Sequence, residues 1–457
     1  MQSALIATLL MPACQPAKPG WSADSWPALL LFYLAPWTLL VDSISGALQQ
    51  TPAALPWSLL YKVVLLTLLV WQLCLWRDKQ LLWLTGLLVL GLGGPAYSYM
   101  TVTALSDATV ADFVATEVAL LLKALAPLLA FCFFRQFCRR YPLALLLLTD
   151  RLMLLSYGVI LLNLALGLLG YGYTAYQPMD NVAQPFLGVK GYFYSTNELA
   201  VVLLVVSGWL LWRCWPAQKA CYLLLSLATI GSAALLLTKT GLLGSMLLVM
   251  LIPLLAASKR DYRRYARPLS VALLLAFCCL LLFIWYAEPL LRAAGLYDKL
   301  AYAYQQRGVA GIVLSSRDLY LAVIWQETER HYPDVHRLFG VGVAGVSVLL
   351  KKYFIEIDLF DLLVFYGLAG GLIFGLTFGR FFYSCYSQID RHRLAATVLC
   401  VNLLLFGVAM LAGHVLTSGM LWLPWALLNA MVFNRYLLSS AADHTSDMAR
   451  GPDERSA

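Results

Sequence analysis

Residues 351–371, KKYFIEIDLFDLLVFYGLAGG, set two lysines and three carboxylates against an apolar run. Glu356, Asp358 and Asp361 stand where hydrocarbon would begin, with Lys351 and Lys352 just ahead. A charge at the centre of a bilayer costs roughly 2.5–3.5 kcal/mol even on the lenient insertion scale. Acids crowded at the mouth of a membrane helix therefore either cap it or serve a site. Both readings require that the run be a membrane helix, and the rest of the chain decides that point.

Of the 457 residues, 61% are hydrophobic and 12% charged, and the mean hydropathy is +0.76. A soluble fold of this length cannot hide that much apolar side chain, so the composition predicts an all-α polytopic membrane protein. The formal charge of +8, from 32 basic and 24 acidic residues, fits basic connecting loops and gives no nucleic-acid footprint. The ten cysteines are scattered without a CxxC and read as small apolar fillers.

Working outward from the quoted stretch, windows long enough to cross a bilayer give about twelve spans. They fall near residues 27–45, 57–76, 81–100, 114–134, 143–171, 197–212, 220–237, 241–257, 269–286, 359–379, 394–414 and 419–436. Basic residues occupy alternate connections: Arg77, Arg135 with Arg139 and Arg140, Arg213 with Lys219, the run from Lys259, and Arg380 with Arg391 and Arg393. The positive-inside rule places these in the cytoplasm, together with both termini. The expected organisation is a cytoplasmic lead-in (1–26), nine spans (27–286), a large periplasmic or extracellular loop (287–358), three spans (359–436) and a cytoplasmic tail (437–457). Within the loop, SSRDLYLAVIWQETERHYP reads as a helix capped by Ser315 or Ser316 and stopped at Tyr332–Pro333.

Four clusters then share the outward side. VKGYFYSTNELA carries Lys190, Asn197 and Glu198; LTKTGLLG holds Lys239 in a tight hairpin; SSRD contains Arg317; and LFGVGVAG leads into EIDLFD. Their order resembles the O-antigen ligase/polymerase superfamily, and more closely its exopolysaccharide-type branch, over residues 189–371. Glu356 stands where many ligases have a histidine, and Lys239 stands near an arginine. The resemblance implies a GT-C-like integral-membrane glycosyltransferase acting on the outer side of the bacterial cytoplasmic membrane. Its donor would be a polyprenyl-diphosphate-linked glycan and its acceptor a sugar or lipid-linked glycan, within membrane lipid. Polysaccharide-export or chain-length-control proteins would be its partners. Polymerase is the first expectation; a ligase acting on a lipid A-core acceptor is the alternative, and a transporter of lipid-linked oligosaccharide comes third.

That chemistry asks for cations on a departing diphosphate and a base for the acceptor hydroxyl. Arg317 and Lys239 are the candidate phosphate ligands, with Arg307 and Lys190 behind them and Asn197 and Glu198 as further binding residues. Glu356 is the candidate base and Asp358 the second. Most have a structural alternative: Glu356 as a solvated loop acid, Asp358 as the cap of its own helix, Lys239 snorkelling, Arg317 paired with Asp318 or Glu327, and Asn197 with Glu198 as a capping pair. No cofactor and no metal are expected: His331 and His336 lack a third ligand, and GVGVAG lacks the strand that a dinucleotide site needs. Lys123 and Asp150 are charges within apolar spans, with pairing or snorkelling as their ordinary fates.

Overall fold

The computed structural model describes residues 23–49, 51–52, 54–176, 187–256, 285–286, 288–289, 292 and 297–437. The expected ninth span up to residue 284, the tail beyond Leu437 and most of the lead-in lie outside them.

The first six elements follow the hydropathy closely. They are α1 (Trp26–Leu48), α2 (Trp57–Leu75), α3 (Gln80–Thr101), α4 (Val110–Arg140), α5 (Pro142–Leu168) and, after a short hairpin, α6 (Thr196–Ala217). The hairpin pairs β1 (Tyr173–Thr174) with β2 (Val189–Gly191) and is the one sheet among the described residues. Two shorter apolar helices follow, α7 (Lys219–Leu235) and α8 (Lys239–Leu255). Beyond the undescribed stretch come α9 (Tyr297–Leu314), α10 (Arg317–His331), α11 (His336–Phe339) and α12 (Gly342–Ser347). Then α13 (Asp358–Tyr386), α14 (Arg393–Leu411) and α15 (Trp422–Met431) complete the chain.

Eight described helices are long and apolar enough to cross a membrane, or nine if the last part of α9 (Arg307–Leu314) and α10, bent by 84°, form one broken span. This is an all-α polytopic architecture, but the count of twelve is not what the described residues give. The last expected span, 419–436, is the clearest departure. Its helix has 10 residues, all of them buried, and the chain before it is unwound from Ala412 to Leu421. Non-helical backbone at membrane depth is tolerated only where protein or a polar recess supplies hydrogen-bond partners. Here the partners are side-chain carboxylates from other elements.

Packing fixes which helix ends lie together. At one end, Tyr141 bonds to Ser25 at 3.0 Å and the Asn434 amide donates to the Pro142 carbonyl at 2.8 Å. Asp150, inside α5, is held by Arg213 at 3.0 Å and by the Trp209 indole at 2.9 Å, so its fate is pairing. At the other end α6, α8 and α13 begin, and the four motif clusters gather there.

The glycines of LFGVGVAG have a structural use. Gly340 and Gly342 have positive φ (79° and 78°), and a β-carbon on Gly340 would collide with the Phe365 carbonyl. Its counterpart Gly367, also at positive φ (55°), kinks α13 where the Leu338 carbonyl comes close. Glu117, a fully buried acid in α4, then accepts the Val343 and Ala344 amides at 3.0 and 2.9 Å and ties the start of α12 to the bundle. A buried charge that takes two backbone donors answers both its own desolvation and theirs.

Candidate functional site

The corner between α9 and α10 is built from residues that seldom turn this way. Ser315 and Ser316 both have left-handed φ (51° and 69°), a conformation that costs a non-glycine residue of order 1–3 kcal/mol unless its surroundings hold it. They are held from three sides. Lys239, at the start of α8, donates to the Ile312 carbonyl at 2.5 Å and to Ser315 Oγ at 3.2 Å. Arg307 grips Asp318 with both terminal guanidinium nitrogens, at 2.5 and 2.6 Å. Arg317 leans its Nη1 on the Leu314 carbonyl at 3.4 Å. Cations at the last carbonyls of α9 also complement its dipole. The expected helix over SSRDLYLAVIWQETERHYP is therefore present as α10, but Ser316 occupies the cap position without a side-chain cap bond.

Arg317 reaches away from this corner to Glu356 rather than to Asp318 or Glu327. Its Nη2 lies 2.8 Å from Glu356 Oε2, and Lys352 Nζ lies 2.5 Å from Oε1. Glu356 too is left-handed, at φ 65°. Burial pushes its carboxyl upward, but the hydrogen bond and charge of Lys352, with the charges of Arg317 and His414 behind, hold it below the ordinary 4.5. Arg317 Nε is buried without a hydrogen-bond partner among the described residues. The result is a carboxylate between two cations, one of which keeps a spare donor.

Asp358 and Asp361 are committed elsewhere. Asp358 is fully buried and accepts the His414, Val415 and Leu416 amides at 2.7, 2.8 and 2.9 Å. It neither caps its own helix, whose cap position is Ile357, nor has an oxygen facing solvent. The reading of Asp358 as the cap of its own helix is corrected: it clasps the unwound 412–421 stretch instead. Asp361 accepts the Ile355 and Glu356 amides and so sets the Glu356 backbone.

The remaining expected residues fall into two groups. Lys190 donates to the Tyr194 carbonyl at 2.9 Å and lies 5.9 Å from the centre of the Tyr173 ring, within the hairpin. Glu198 Oε2 accepts from Ser418 Oγ at 2.8 Å and from the Gly419 amide at 3.1 Å, again on the unwound stretch. The cap of α6 is Ser195, which accepts the Glu198 amide, so the Asn197–Glu198 capping pair is not formed. Asn197 is half-buried beside it. His336 is buried, with Nε2 3.4 Å from Ser98 Oγ, and His331 bonds to the Glu327 carbonyl. Among the described residues no three His, Cys, Asp or Glu side chains group as metal ligands.

Sequence reasoning left Lys352 without a role, although its spacing of four residues before Glu356 was a usable signal. It also passed over Asp42 and Lys62, lone charges within apolar spans, which pair at 2.6 Å. A cavity of about 310 Å³ lies between Gln80, Cys132, Leu376 and Arg380, none of which belongs to the motif clusters. Compared with known proteins, the chain matches no family model and no curated protein.

Proposed function

We propose that the protein is a polysaccharide polymerase of the cell envelope. It moves a glycan from a polyprenyl-diphosphate donor to a lipid-linked sugar acceptor, at the outer face of the bacterial cytoplasmic membrane. The observation that carries this reading is the meeting of Arg317, Lys352 and Glu356, with Lys239 one residue cluster away. A guanidinium with an unused buried donor suits a diphosphate, which offers several acceptor oxygens in fork geometry.

In the reaction, the acceptor hydroxyl oxygen forms a bond to the anomeric carbon while the bond from that carbon to the diphosphate oxygen breaks. The electron pair leaves with the diphosphate, and the hydroxyl proton passes to the Glu356 carboxylate. Glu356 flanked by two cations is a weak base, because both stabilise its charge. An arriving diphosphate competes for the same cations. As Arg317 and Lys352 turn to the phosphates, the carboxylate loses its partners and becomes more basic when a base is needed.

The decisive experiment incubates purified protein with lipid-diphosphate repeat units, alone and then with a lipid A-core acceptor. A ladder from repeat units alone is the expected result. A single transfer that needs the second acceptor would make the protein a ligase.

One observation favours a second reading. The unwound 412–421 stretch, clasped by Asp358 and Glu198, is the kind of discontinuity that transporters place at their substrate sites. Movement of the lipid-linked glycan across vesicles without any new glycosidic bond would support a transporter instead.

A further inference from the structure

A second cluster of charges, absent from the mechanism above, surrounds Gly419. The Gly419 amide is bonded to Glu198, and a β-carbon placed on Gly419 would lie 3.4 Å from Lys62 Nζ and 3.8 Å from Lys123 Cε. Four elements therefore meet at one backbone position: α2, α4, α6 and the unwound stretch.

The groups in the cluster are unequally satisfied. Lys62 is bound to Asp42 at 2.6 Å and to Ser58 Oγ at 2.9 Å, and Ser58 also bonds Asp42. Glu198 uses Oε2 on Ser418 and Gly419, and its other oxygen makes no hydrogen bond among the described residues. Lys123 has neither an ion pair nor a hydrogen bond among them. It is exposed, yet Leu120, Ala126 and Pro127, one turn away on the same side of α4, are buried. With its Cε beside Gly419, the Lys123 ammonium is exposed where α2, α4, α6 and the unwound stretch meet, and Gly419 itself is only half-buried there. An ionisable group so placed is a functional-site signal.

We infer that this junction is a second lipid-headgroup site, taking a phosphate on Lys123 and Lys62 and a sugar hydroxyl on the free oxygen of Glu198. The shared chemistry is a phosphate ester on a membrane lipid, and the mix of one unpaired cation with one free carboxylate oxygen favours a glycosylated one. The inference rests on the glycosyl-transfer reading only for its purpose: a polymerase handles two lipid-linked glycans at once, and each brings a phosphate group. Residues 414 and 418, which touch the neighbourhoods of the two sites, are at most about 14 Å apart along the chain. The two headgroups would thus sit on opposite ends of one unwound segment.

Native mass spectrometry of the full-length protein, titrated in parallel with polyprenyl diphosphate and with phosphatidylglycerol, tests this without requiring turnover. Wild type should take up two polyprenyl diphosphates. Lys123→Met should bind one of them about 10- to 100-fold more weakly, the worth of a lost charge-assisted hydrogen bond. Lys123→Arg should retain both, and Gly419→Val should lose the same equivalent, because its side chain would crowd Lys62 Nζ and Lys123 Cε. Arg317→Ala should weaken the other equivalent. Equal uptake of phosphatidylglycerol, still dependent on Lys123, would keep the phosphate site and assign it to bulk lipid. Identical binding of both lipids by wild type, Lys123→Met and Gly419→Val would overturn the inference. Failure of the glycosyl-transfer reading would show differently, as intact two-site binding with no glycan ladder.

Discussion

The Asp361 carboxylate accepts the Ile355 amide at 2.8 Å and the Glu356 amide at 3.0 Å, and so holds Glu356 in its left-handed conformation. One acid fixes the backbone of another, and that backbone aims the second carboxylate at Arg317 and Lys352.

Asp361→Asn should therefore damage Glu356 without touching substrate. An asparagine keeps one acceptor oxygen, and its amide nitrogen would face a backbone donor. Leaving a buried donor unpaired costs about 1–3 kcal/mol. The expected result is a lower unfolding temperature in detergent together with loss of transfer. Glu356→Gln, by contrast, gives up only the stabilisation that its charge draws from Arg317 and Lys352, and should keep donor binding while transfer falls about 10²–10⁴-fold, the usual worth of a general base. Near-normal transfer by Glu356→Gln would remove the base role.

The acid limb of the pH–rate profile should move when Lys352 is removed. In the free protein the Glu356 carboxyl lies below its ordinary 4.5, with burial opposing and Lys352 the first of the groups that lower it. A base is active above its pKa, so activity should fall only as pH drops below that ordinary value. Lys352→Met should shift this limb upward. The same sign holds for stability. A carboxyl depressed in the folded state contributes above its unfolded pKa, and that contribution is lost as pH falls through the folded pKa. An unchanged acid limb in kcat/KM for Lys352→Met would separate Glu356 from the titration.

Much of this arrangement was legible in the sequence because it is local. Six of the first spans, the start of α13 and the bounds of α10 follow from apolar runs and helix-stopping residues. The uses of the buried acids were not legible. Asp358, near a helix start, reads locally as a cap, yet its partners lie 56–58 residues away. Glu117 meets amides 226 and 227 residues on. Hydropathy cannot tell 419–436 from a spanning helix either, since the unwound part is stabilised by carboxylates that no window contains. Arg317 and Glu356 were each singled out, but their pairing depends on a corner made by two left-handed serines.

Orientation is open to a direct experiment. If the basic connections are cytoplasmic, the exposed Ser315 beside Lys239 lies on the outer side. Ser315→Cys should react with an impermeant thiol reagent in intact spheroplasts. The native cysteines need not be removed if the parent protein is carried as the control. Reaction only after lysis would invert the topology and withdraw the outer-face site.

Asp358 gives the sharpest separation between a catalytic acid and a structural one. Capping its own helix, it would tolerate asparagine almost freely, because Asn caps about as well as Asp. Clasping three amides of residues 414–416 with both oxygens, it would not. Asparagine offers one acceptor oxygen to a site that needs two, and hydrogen bonds to a charged group contribute about 1.5–3 kcal/mol each. Asp358→Asn should thus unfold at lower temperature and release the 412–421 stretch, with faster hydrogen exchange at His414, Val415 and Leu416. Because that stretch also carries Ser418 and Gly419, exchange should quicken near Glu198 as well. Glu356→Gln should leave exchange at 414–416 unchanged. A stable Asp358→Asn protein, protected at 414–416 but inactive in transfer, would return the base role to Asp358 and leave Glu356 as a mere counter-ion to Arg317.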